Sequence, residues 1–323
     1  MRVLVTGSTS MIGRMVAELL MARGDDVTVL QRSSSDLAGV RQINGSVTDA
    51  DVVAQAVEGQ DGVIHLAAKV DIMGSWEDFV SVNVEGTSTM LAAAKDAGVS
   101  RFVYISTPSV AHGGESLIGA DAEPADPDNT SGHYATSKAM AEQLALAANT
   151  DEMPVVAIRP HLVIGPGDTQ LVERILDRAR EGRMPLIGAG LALVDTTWVD
   201  NAADAMVAAL DRAPQLGGEA FVISNGEPRT VHELVARITK AANIDWSPRS
   251  VPRKVAIAGG SVVETIWDRT DRDDEPPMTA FGAEQLSTAH WFDQNRTREA
   301  LEWTPKVSLA EGFNRLEASF AND

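Results

Sequence analysis

The chain has 323 residues, of which 44% are hydrophobic, enough for one large domain or two closely packed ones. Its formal net charge of −19 argues against nucleic acid and anionic lipid as partners, since both reward Lys and Arg. With no cysteine, no signal-peptide pattern and no apolar run long enough for a membrane span, we expect a cytoplasmic protein without disulfides, thiolate catalysis or an integral membrane segment.

The first thirty residues carry a strand, a glycine turn, a helix and a second strand, at 2–6, 7–13, 12–23 and 27–30. This order is typical of the first half of a dinucleotide-binding fold. The unpaired N–H groups at the helix start suit a pyrophosphate. The alternative is an ordinary turn between a strand and a helix. We predict a cofactor contact at each residue of the turn, namely Gly7, Ser8, Thr9, Ser10, Met11, Ile12 and Gly13.

The middle and the end of this unit depart from the usual pattern. Ser10 stands where a glycine is often found, and its hydroxyl could donate to a phosphate. The second strand ends in Gln31 and Arg32, without the carboxylate that binds the ribose of NAD. A guanidinium pairs well with a 2′-phosphate. We therefore favour NADP(H) over NAD(H), although Arg32 could also be an ordinary surface residue.

Strands and helices continue to alternate through residue 158, with strands at 40–43, 62–66, 101–105 and 154–158 and helices at 51–57, 76–97 and 133–149. Residues 115–130, rich in Asp, Pro and Gly, are predicted to be a loop. Such alternation predicts an α/β fold with a doubly wound, Rossmann-type parallel sheet. Ligands bind beyond the carboxyl ends of such strands, where we expect Ser10, Ala67, Thr107 and His161.

The regular alternation ends after Pro160, and the remaining helices and turns indicate a smaller, interleaved C-terminal substrate lobe. We predict a dinucleotide-binding domain at 1–165, rejoined by 195–225, and a substrate lobe formed by 166–194 and 226–323. His161 could face the substrate from this boundary, but a structural role is the simpler interpretation.

Tyr134 and Lys138 are four residues apart, which places both on one face of a helix. A lysine cation stabilises a neighbouring phenolate and lowers the pKa of the phenol, which makes the pair an acid/base for a carbonyl or alcohol oxygen. Ser106 or Thr107, just past a strand, could stabilise the oxygen, or either could simply cap the strand end. The six histidines lack zinc-site spacing, so we expect no metal.

Four motifs together resemble the extended short-chain dehydrogenase/reductase superfamily, in particular its 3β-hydroxysteroid dehydrogenase branch: 6–13, Tyr134 to Lys138, Arg159-Pro160 and 165–168. Segments 106–110, 194–201, 223–228 and 284–291 resemble the NADPH-dependent 2-alkyl-3-oxoalkanoate reductases of bacterial olefin biosynthesis. The resemblance extends over essentially the whole chain.

The resemblance implies roles for individual residues. Tyr134 is the acid/base, Lys138 also holds the nicotinamide ribose, and Thr107 rather than Ser106 matches the serine position of the family. Asn83 matches an asparagine that supports catalysis. Further cofactor contacts are implied at Ser46, Val47, Ala67, Ala68, Lys69 and Pro160.

The function expected from these features is NADP(H)-dependent interconversion of a ketone and a secondary alcohol on a large apolar substrate, most simply reduction of a 2-alkyl-3-oxoalkanoate. A 3β-hydroxysteroid dehydrogenase, a nucleotide-sugar epimerase or dehydratase, and a non-catalytic NADP(H) sensor are the alternatives. The resemblance also implies a homodimer through helices 76–97 and 133–149, and allows membership of an olefin-biosynthesis assembly.

Overall fold

A seven-stranded parallel sheet, in the order β12-β7-β5-β4-β1-β2-β3, forms the centre of the computed structural model, which describes residues 1–34, 36–70, 74–270 and 278–321. The parallel α/β fold expected from the alternation is confirmed. The strands of this sheet are β1 (Arg2–Thr6), β2 (Asp26–Gln31), β3 (Arg41–Asn44), β4 (Gly62–His65), β5 (Phe102–Ile105), β7 (Val155–Pro160) and β12 (Ala220–Ile223).

Helices cover both faces of this sheet, which explains why the central strands are almost continuously apolar. Every residue of β4 and β5 is buried. One core cluster lies on the side of α1 and α7, and a second lies on the side of α2, α4 and α5. The bounds of the first seven helices are α1 (Met11–Ala22), α2 (Ala50–Val57), α3 (Trp76–Phe79), α4 (Gly86–Asp96), α5 (Gly132–Ala147), α6 (Val172–Arg180) and α7 (Val199–Leu216).

The single helix predicted over 76–97 is divided. A π-helical turn, Val80–Glu85, joins α3 to α4, and Asn83 lies buried in it. Inserted π turns are frequent at functional sites, and they cannot be read from hydrophobic periodicity.

The C-terminal lobe contains short strands and the remaining helices. The strands are β8 (Val163–Ile164), β9 (Leu186–Ile187), β10 (Leu193–Val194), β11 (Thr197–Trp198), β13 (Arg229–Thr230), β14 (Ser250–Val251) and β15 (His290–Phe292). The helices are α8 (Val231–Ala241), α9 (Arg253–Thr270), α10 (Ala280–Gln285), α11 (Asn295–Leu301) and α12 (Leu309–Ala321).

The prediction of an uninterrupted loop over 115–130 is wrong. Strand β6 (Leu117–Ala120) lies there and pairs in parallel with β15, in the register Leu117 to His290. Its partner is distant in sequence, so local Asp, Pro and Gly content could not reveal it. A second sheet, in the order β13-β10-β15-β6, therefore joins segments from both halves of the chain.

Strand β12 returns to the main sheet beside β7, as the interleaved arrangement requires. The division into two domains with the boundaries given above stays a prediction. Among the described residues, no helix has the length and apolarity that crossing a membrane requires.

Candidate active site

The turn between β1 and α1 needs glycine at two positions. Gly7 has a φ of 73°, and a Cβ on it would lie 3.1 Å from the backbone nitrogen of Ala67. A Cβ on Gly13 would lie 2.4 Å from the carbonyl oxygen of Gly7, closer than any real contact. The first turn of α1 can therefore pack directly on the end of β1, which brings its N–H groups to the carboxyl rim of the sheet.

Ser10 acts as the N-cap of α1. Its hydroxyl accepts from the backbone N–H of Gly13 at 3.1 Å and donates to the carbonyl of Gly7 at 2.8 Å. The hydroxyl proton is thus used inside the turn rather than offered to a phosphate. The backbone N–H groups of Met11 and Ile12 have no acceptor in the described part of the chain, and they are the donors that suit a pyrophosphate.

The end of β2 provides a second group of donors. Gln31 is buried, and its side-chain oxygen accepts a short hydrogen bond from the hydroxyl of Ser8. Its Nε2 is buried and has no acceptor in the structure as described. Arg32 is exposed and forms no ion pair with any described residue. These groups fit a nicotinamide dinucleotide: the glycine turn and the start of α1 suit its phosphates, and the Gln31 amide and the Arg32 guanidinium suit its ribose.

The remaining predicted cofactor contacts lie along the same rim. Ala67 donates its N–H to Thr6 at 2.9 Å, directly after β4. Val47 is buried in the core beneath Gly86, so only its backbone is available to a ligand. Pro160 lies at the carboxyl end of β7. The following predicted cofactor contacts are exposed or half-buried: Thr9, Ser46, Ala68, Lys69 and Pro160.

Asn83 holds the loop after β4 in place. Its Oδ1 accepts from the backbone N–H of Lys69 at 2.7 Å, and its Nδ2 donates to the Lys69 carbonyl at 3.1 Å and to Ser137 at 3.0 Å. With its amide fully used, Asn83 positions the loop and α5 relative to each other. These contacts make Asn83 a structural link between the loop and α5, and its support of catalysis stays a prediction.

Tyr134 and Thr107 lie together at the carboxyl end of β5. Burial raises the pKa of Tyr134 to about 12, and a hydrogen bond with Thr107 acts in the opposite direction. The Thr107 hydroxyl also shares a hydrogen bond with that of Ser109 at 2.8 Å. Ser106 is buried instead, with no partner for its hydroxyl among the described residues. The arrangement favours Thr107 over Ser106 as the group that meets a substrate oxygen beside the phenol.

The ammonium group of Lys138 is bound at the end of β5. Its ammonium donates to the carbonyl oxygen of Ile105 at 2.5 Å and lies 4.2 Å from the centre of the Tyr104 ring. Burial lowers the pKa of Lys138 to about 7, while the charge of Glu142 raises it. The predicted lowering of the Tyr134 pKa is absent, because Lys138 points at the end of β5 and burial dominates both groups.

Two charged residues near Lys138 were not assigned to the site by sequence reasoning: Glu142, one turn further along α5, and Arg159 on β7. Glu142 and Arg159 are fully buried and paired, with the guanidinium of Arg159 donating to both carboxylate oxygens. Two signals could have identified them. Glu142 continues the four-residue spacing of Tyr134 and Lys138, and Arg159 is the charged residue of an otherwise apolar strand.

His161 is packed rather than open to a substrate. Its Nδ1 lies 2.6 Å from the carbonyl oxygen of Asp195, and its ring meets Phe292 edge-on at 5.0 Å. Burial lowers the pKa of His161 to about 3, so the ring is neutral at physiological pH. Within the described ranges, no group of three or more His, Asp or Glu side chains is placed to hold a metal ion.

A surface groove of about 860 Å³ lies between α2 and α4. Alanine is the commonest residue of its lining, which includes none of the predicted site residues. We therefore place the candidate active site at the carboxyl rim of the sheet, around Tyr134, and not in this groove.

Comparison with known proteins places this geometry in a family. The model of the NAD dependent epimerase/dehydratase family matches residues 3–224, which include the glycine turn, Thr107 and the Tyr134–Lys138 pair. The chain belongs to this family, the extended short-chain dehydrogenases/reductases. It is an oxidoreductase that uses a nicotinamide dinucleotide and acts on CH–OH groups.

Two named relatives are reductases. The chain is 41% identical to a 2-alkyl-3-oxoalkanoate reductase of Stenotrophomonas maltophilia, over 99% of this chain and 100% of that one. It is 36% identical to a protein of the same name from Shewanella oneidensis, over 98% and 85% of the two chains. A 3 beta-hydroxysteroid dehydrogenase/Delta 5-->4-isomerase of Mycobacterium tuberculosis is 31% identical, over 97% and 88%.

Solved structures confirm the fold. A dTDP-glucose 4,6-dehydratase from Streptomyces venezuelae, with NAD bound, superposes with a TM-score of 0.76 at 24% identity, covering 100% of this chain and 98% of that one. At this identity the likeness concerns the fold alone.

Proposed function

We propose that this protein reduces the 3-oxo group of a 2-alkyl-3-oxoalkanoate to a hydroxyl with NADPH. The observation that carries the proposal is the pairing of Tyr134 and Thr107 at the carboxyl end of β5, in a chain 41% identical to a reductase named for this substrate. The N–H groups at the start of α1 would hold the dinucleotide, and the chemistry it would supply there is a hydride for the carbonyl carbon. Tyr134 donates its proton to the carbonyl oxygen, which Thr107 stabilises, and the phenol then recovers a proton from solvent.

The state of the phenol supports the reductive direction. With a pKa raised to about 12, Tyr134 carries its proton at neutral pH and is ready to donate it. Oxidation of an alcohol would need the phenolate, which is scarce at that pH.

NADPH is proposed over NADH on account of Gln31 and Arg32. The end of β2 offers an amide and an exposed guanidinium. It has no carboxylate, a group that would repel a 2′-phosphate. The same absence of a carboxylate makes a nucleotide-sugar epimerase with tightly held NAD the weaker proposal.

A 3β-hydroxysteroid dehydrogenase is the second candidate, because a relative of that name is 31% identical over nearly the full length. The experiment that separates the two measures oxidation of NADPH and of NADH with a 2-alkyl-3-oxo acid and a 3-oxosteroid side by side. We expect faster turnover of NADPH with the oxo acid. Faster turnover of the steroid would favour the second candidate, and binding of NADPH without turnover of either would favour a sensor.

The proposed setting is a cytoplasmic homodimer that pairs through 76–97 and 133–149 and can join an olefin-biosynthesis assembly. Light scattering of the purified chain tests the dimer. A monomer at micromolar concentration would contradict it.

A further inference from the structure

Three histidine rings lie together at the junction of the central sheet and the C-terminal lobe. The centre of the His290 ring lies 6.3 Å from that of His112, in a stacked arrangement, and 6.0 Å from that of His161, edge-on. His112 comes from the loop after β5, His161 from the end of β7, and His290 from β15. Buried polar rings need partners, so a cluster built from three separate segments calls for a physical explanation.

The histidine cluster lies on the same rim as the proposed reaction centre. A short 3₁₀ helix is capped by Thr107 at its start and by His112 at its end. Ile105 of β5 pairs with Ile158 of β7, so Thr107 and His161 leave neighbouring strands at the same rim, shortly beyond this pair. A substrate whose ketone lies at Thr107 therefore has the cluster on the side of β7.

The hydrogen bonds of His290 show which of its nitrogens carries the hydrogen. Thr288 donates its hydroxyl proton to the carbonyl oxygen of Glu284 at 2.7 Å, so it accepts in the 2.7 Å bond that joins it to Nε2 of His290. Nε2 therefore bears the hydrogen, and Nδ1 of the neutral ring is a bare acceptor. This Nδ1 is buried, in a side chain that is 1% exposed, and no described residue donates to it.

The other two rings differ in how their nitrogens are used. Nδ1 of His161 donates to the carbonyl oxygen of Asp195 at 2.6 Å, and this bond uses the single N–H of the neutral ring. His112 is half-buried, and its Nδ1 has no partner in the described part of the chain. His112 can therefore donate an N–H to a ligand, whereas His161 cannot.

Burial keeps the cluster neutral. It lowers the pKa of His112 and that of His290, the latter to about 4. Two carboxylates face the surrounding segments. That of Asp195 accepts hydrogen bonds from the segment after β12, and that of Glu284 on α10 lies against the loop that follows His112. The cluster thus has unused hydrogen-bonding capacity and no charge of its own.

A carboxylate bound here needs a positive partner. Lys138 and Arg159 do not supply it, since Lys138 donates to the carbonyl of Ile105 and Arg159 is paired with Glu142. Burying an anion beside neutral imidazoles is costly, unless a proton accompanies it and converts one ring to an imidazolium. The bare Nδ1 of His290 is the position for that proton.

We propose that His112 and His290 form the subsite for the carboxylate of the oxo acid, and that the acid takes one proton from solvent into the cluster when it binds. The identity of the ligand rests on the proposed function, and the geometry rests on the contacts above. His112 donates an N–H to the carboxylate. His290, protonated at Nδ1, donates a second, charge-assisted hydrogen bond.

The test uses a complex that cannot turn over. The enzyme with NADPH bound is titrated by calorimetry with a 2-alkyl-3-hydroxy acid, the reduced product, and with its methyl ester, which keeps the alkyl chains and loses the charge. Titrations at pH 6 in two buffers of different ionisation enthalpy give the number of protons taken up. We expect about one proton per molecule of acid and none for the ester, because only the acid brings an anion to the cluster.

Two variants remove the two proposed contacts separately. His112→Phe keeps a ring stacked on His290 and removes both nitrogens. His290→Gln keeps a donor to Thr288 and removes the acceptor at Nδ1. The matched control is His232→Phe, which makes the same change in an exposed ring that lies beside Trp246. Circular dichroism and the NADPH dissociation constant show that each variant is folded.

The affinities should respond to charge rather than to shape. His112→Phe and His290→Gln should each bind the acid at least about tenfold more weakly, with the dissociation constant of the ester changed less than about twofold. In the wild type, the dissociation constant of the acid should rise about tenfold between about pH 5.5 and pH 6.5, because one proton binds with it. This pH dependence should be absent from His290→Gln and retained in the control.

The outcomes separate the subsite from the proposed function. Equal binding of acid and ester without proton uptake would overturn the subsite, even if the oxo acid is reduced. Proton uptake that neither His112→Phe nor His290→Gln alters would overturn it as well. If the acid binds with proton uptake that His290→Gln abolishes, while no oxo acid is reduced, the proposed function fails and the subsite stands.

Discussion

The two rims of the central sheet differ in how far their ionisable side chains are exposed to water. At the amino rim, ion pairs such as Arg2–Asp61 at 2.7 Å and Arg296–Glu219 at 2.6 Å stay partly in water. At the carboxyl rim, Lys138 is buried and Tyr134 is partly buried, and burial moves the pKa of each, to about 7 and about 12.

This difference shows where the fold can do chemistry. A surface pair is screened and contributes little to stability, so it serves mainly solubility and local order. Burial of an ionisable side chain changes its proton affinity by several powers of ten. A general acid or base depends on such a shifted pKa. The carboxyl rim is also where the glycine turn presents its free N–H groups.

The largest effect is expected for Tyr134→Phe. Loss of the acid should lower NADPH-dependent reduction by about 10²- to 10⁴-fold, because the proposed general acid is removed and phenylalanine has no proton to donate. The dissociation constant for NADPH should change less than threefold. Turnover near the wild-type rate in steady-state assays would remove Tyr134 from the reaction.

A smaller effect is expected for Arg32→Ala. If the guanidinium binds the 2′-phosphate, the preference for NADPH over NADH in kcat/KM should fall by about ten- to a hundredfold, the value of one or two charge-assisted hydrogen bonds. Activity with NADH should be almost unaffected. Equal loss with both cofactors would assign Arg32 a structural role instead.

The next effect concerns acid stability at His65. Its imidazole lies between Thr6 at 2.9 Å and Thr87 at 3.2 Å, and burial lowers its pKa to about 3. Because the folded pKa is below that of the unfolded chain, stability is full above about pH 6.5 and falls as the pH approaches 3.

Urea unfolding at pH 7 and pH 5 measures this effect. Between pH 7 and pH 5, protonation of His65 in the unfolded chain should lower the free energy of unfolding by about 2 kcal/mol. His65→Gln should not show this loss. The exposed His133 provides the control, and His133→Gln should keep the wild-type pH dependence. An identical slope in His65→Gln would contradict the neutral, buried assignment.

The smallest effect is expected at the amino rim. Arg2→Met breaks the exposed pair with Asp61 and should change neither the thermal midpoint nor the reduction rate measurably. A clear loss of activity would show that the two rims are coupled, and the comparison above would then be too simple.

Much of the dinucleotide-binding half can be predicted from sequence because its signals are local. Apolar strands, Gly7, Gly13 and a helix of period 3.6 all lie within thirty residues, and β1 is found at Arg2–Thr6 as predicted. Tyr134 and Lys138 are equally local, since one helix sets their spacing.

The features that escaped prediction depend on distant contacts. Strand β6 exists because β15 pairs with it, and the π turn around Asn83 accompanies an amide that binds Lys69 and Ser137. The direction in which Lys138 points is set by the carbonyl of Ile105. In each case the partner lies far away in the chain, so the local sequence around β6, Asn83 or Lys138 does not identify it.

The most direct test of the central claim is to follow the hydride itself. NADPH carrying two deuterium atoms at C4 of the nicotinamide is incubated with the enzyme and a 2-alkyl-3-oxo acid, and the product is analysed by mass spectrometry. The account predicts one deuterium on the carbon that bears the new hydroxyl, and about a hundredfold less of this product, or lower still, when Tyr134→Phe replaces the wild type for the same time. Product without deuterium at that carbon would contradict it.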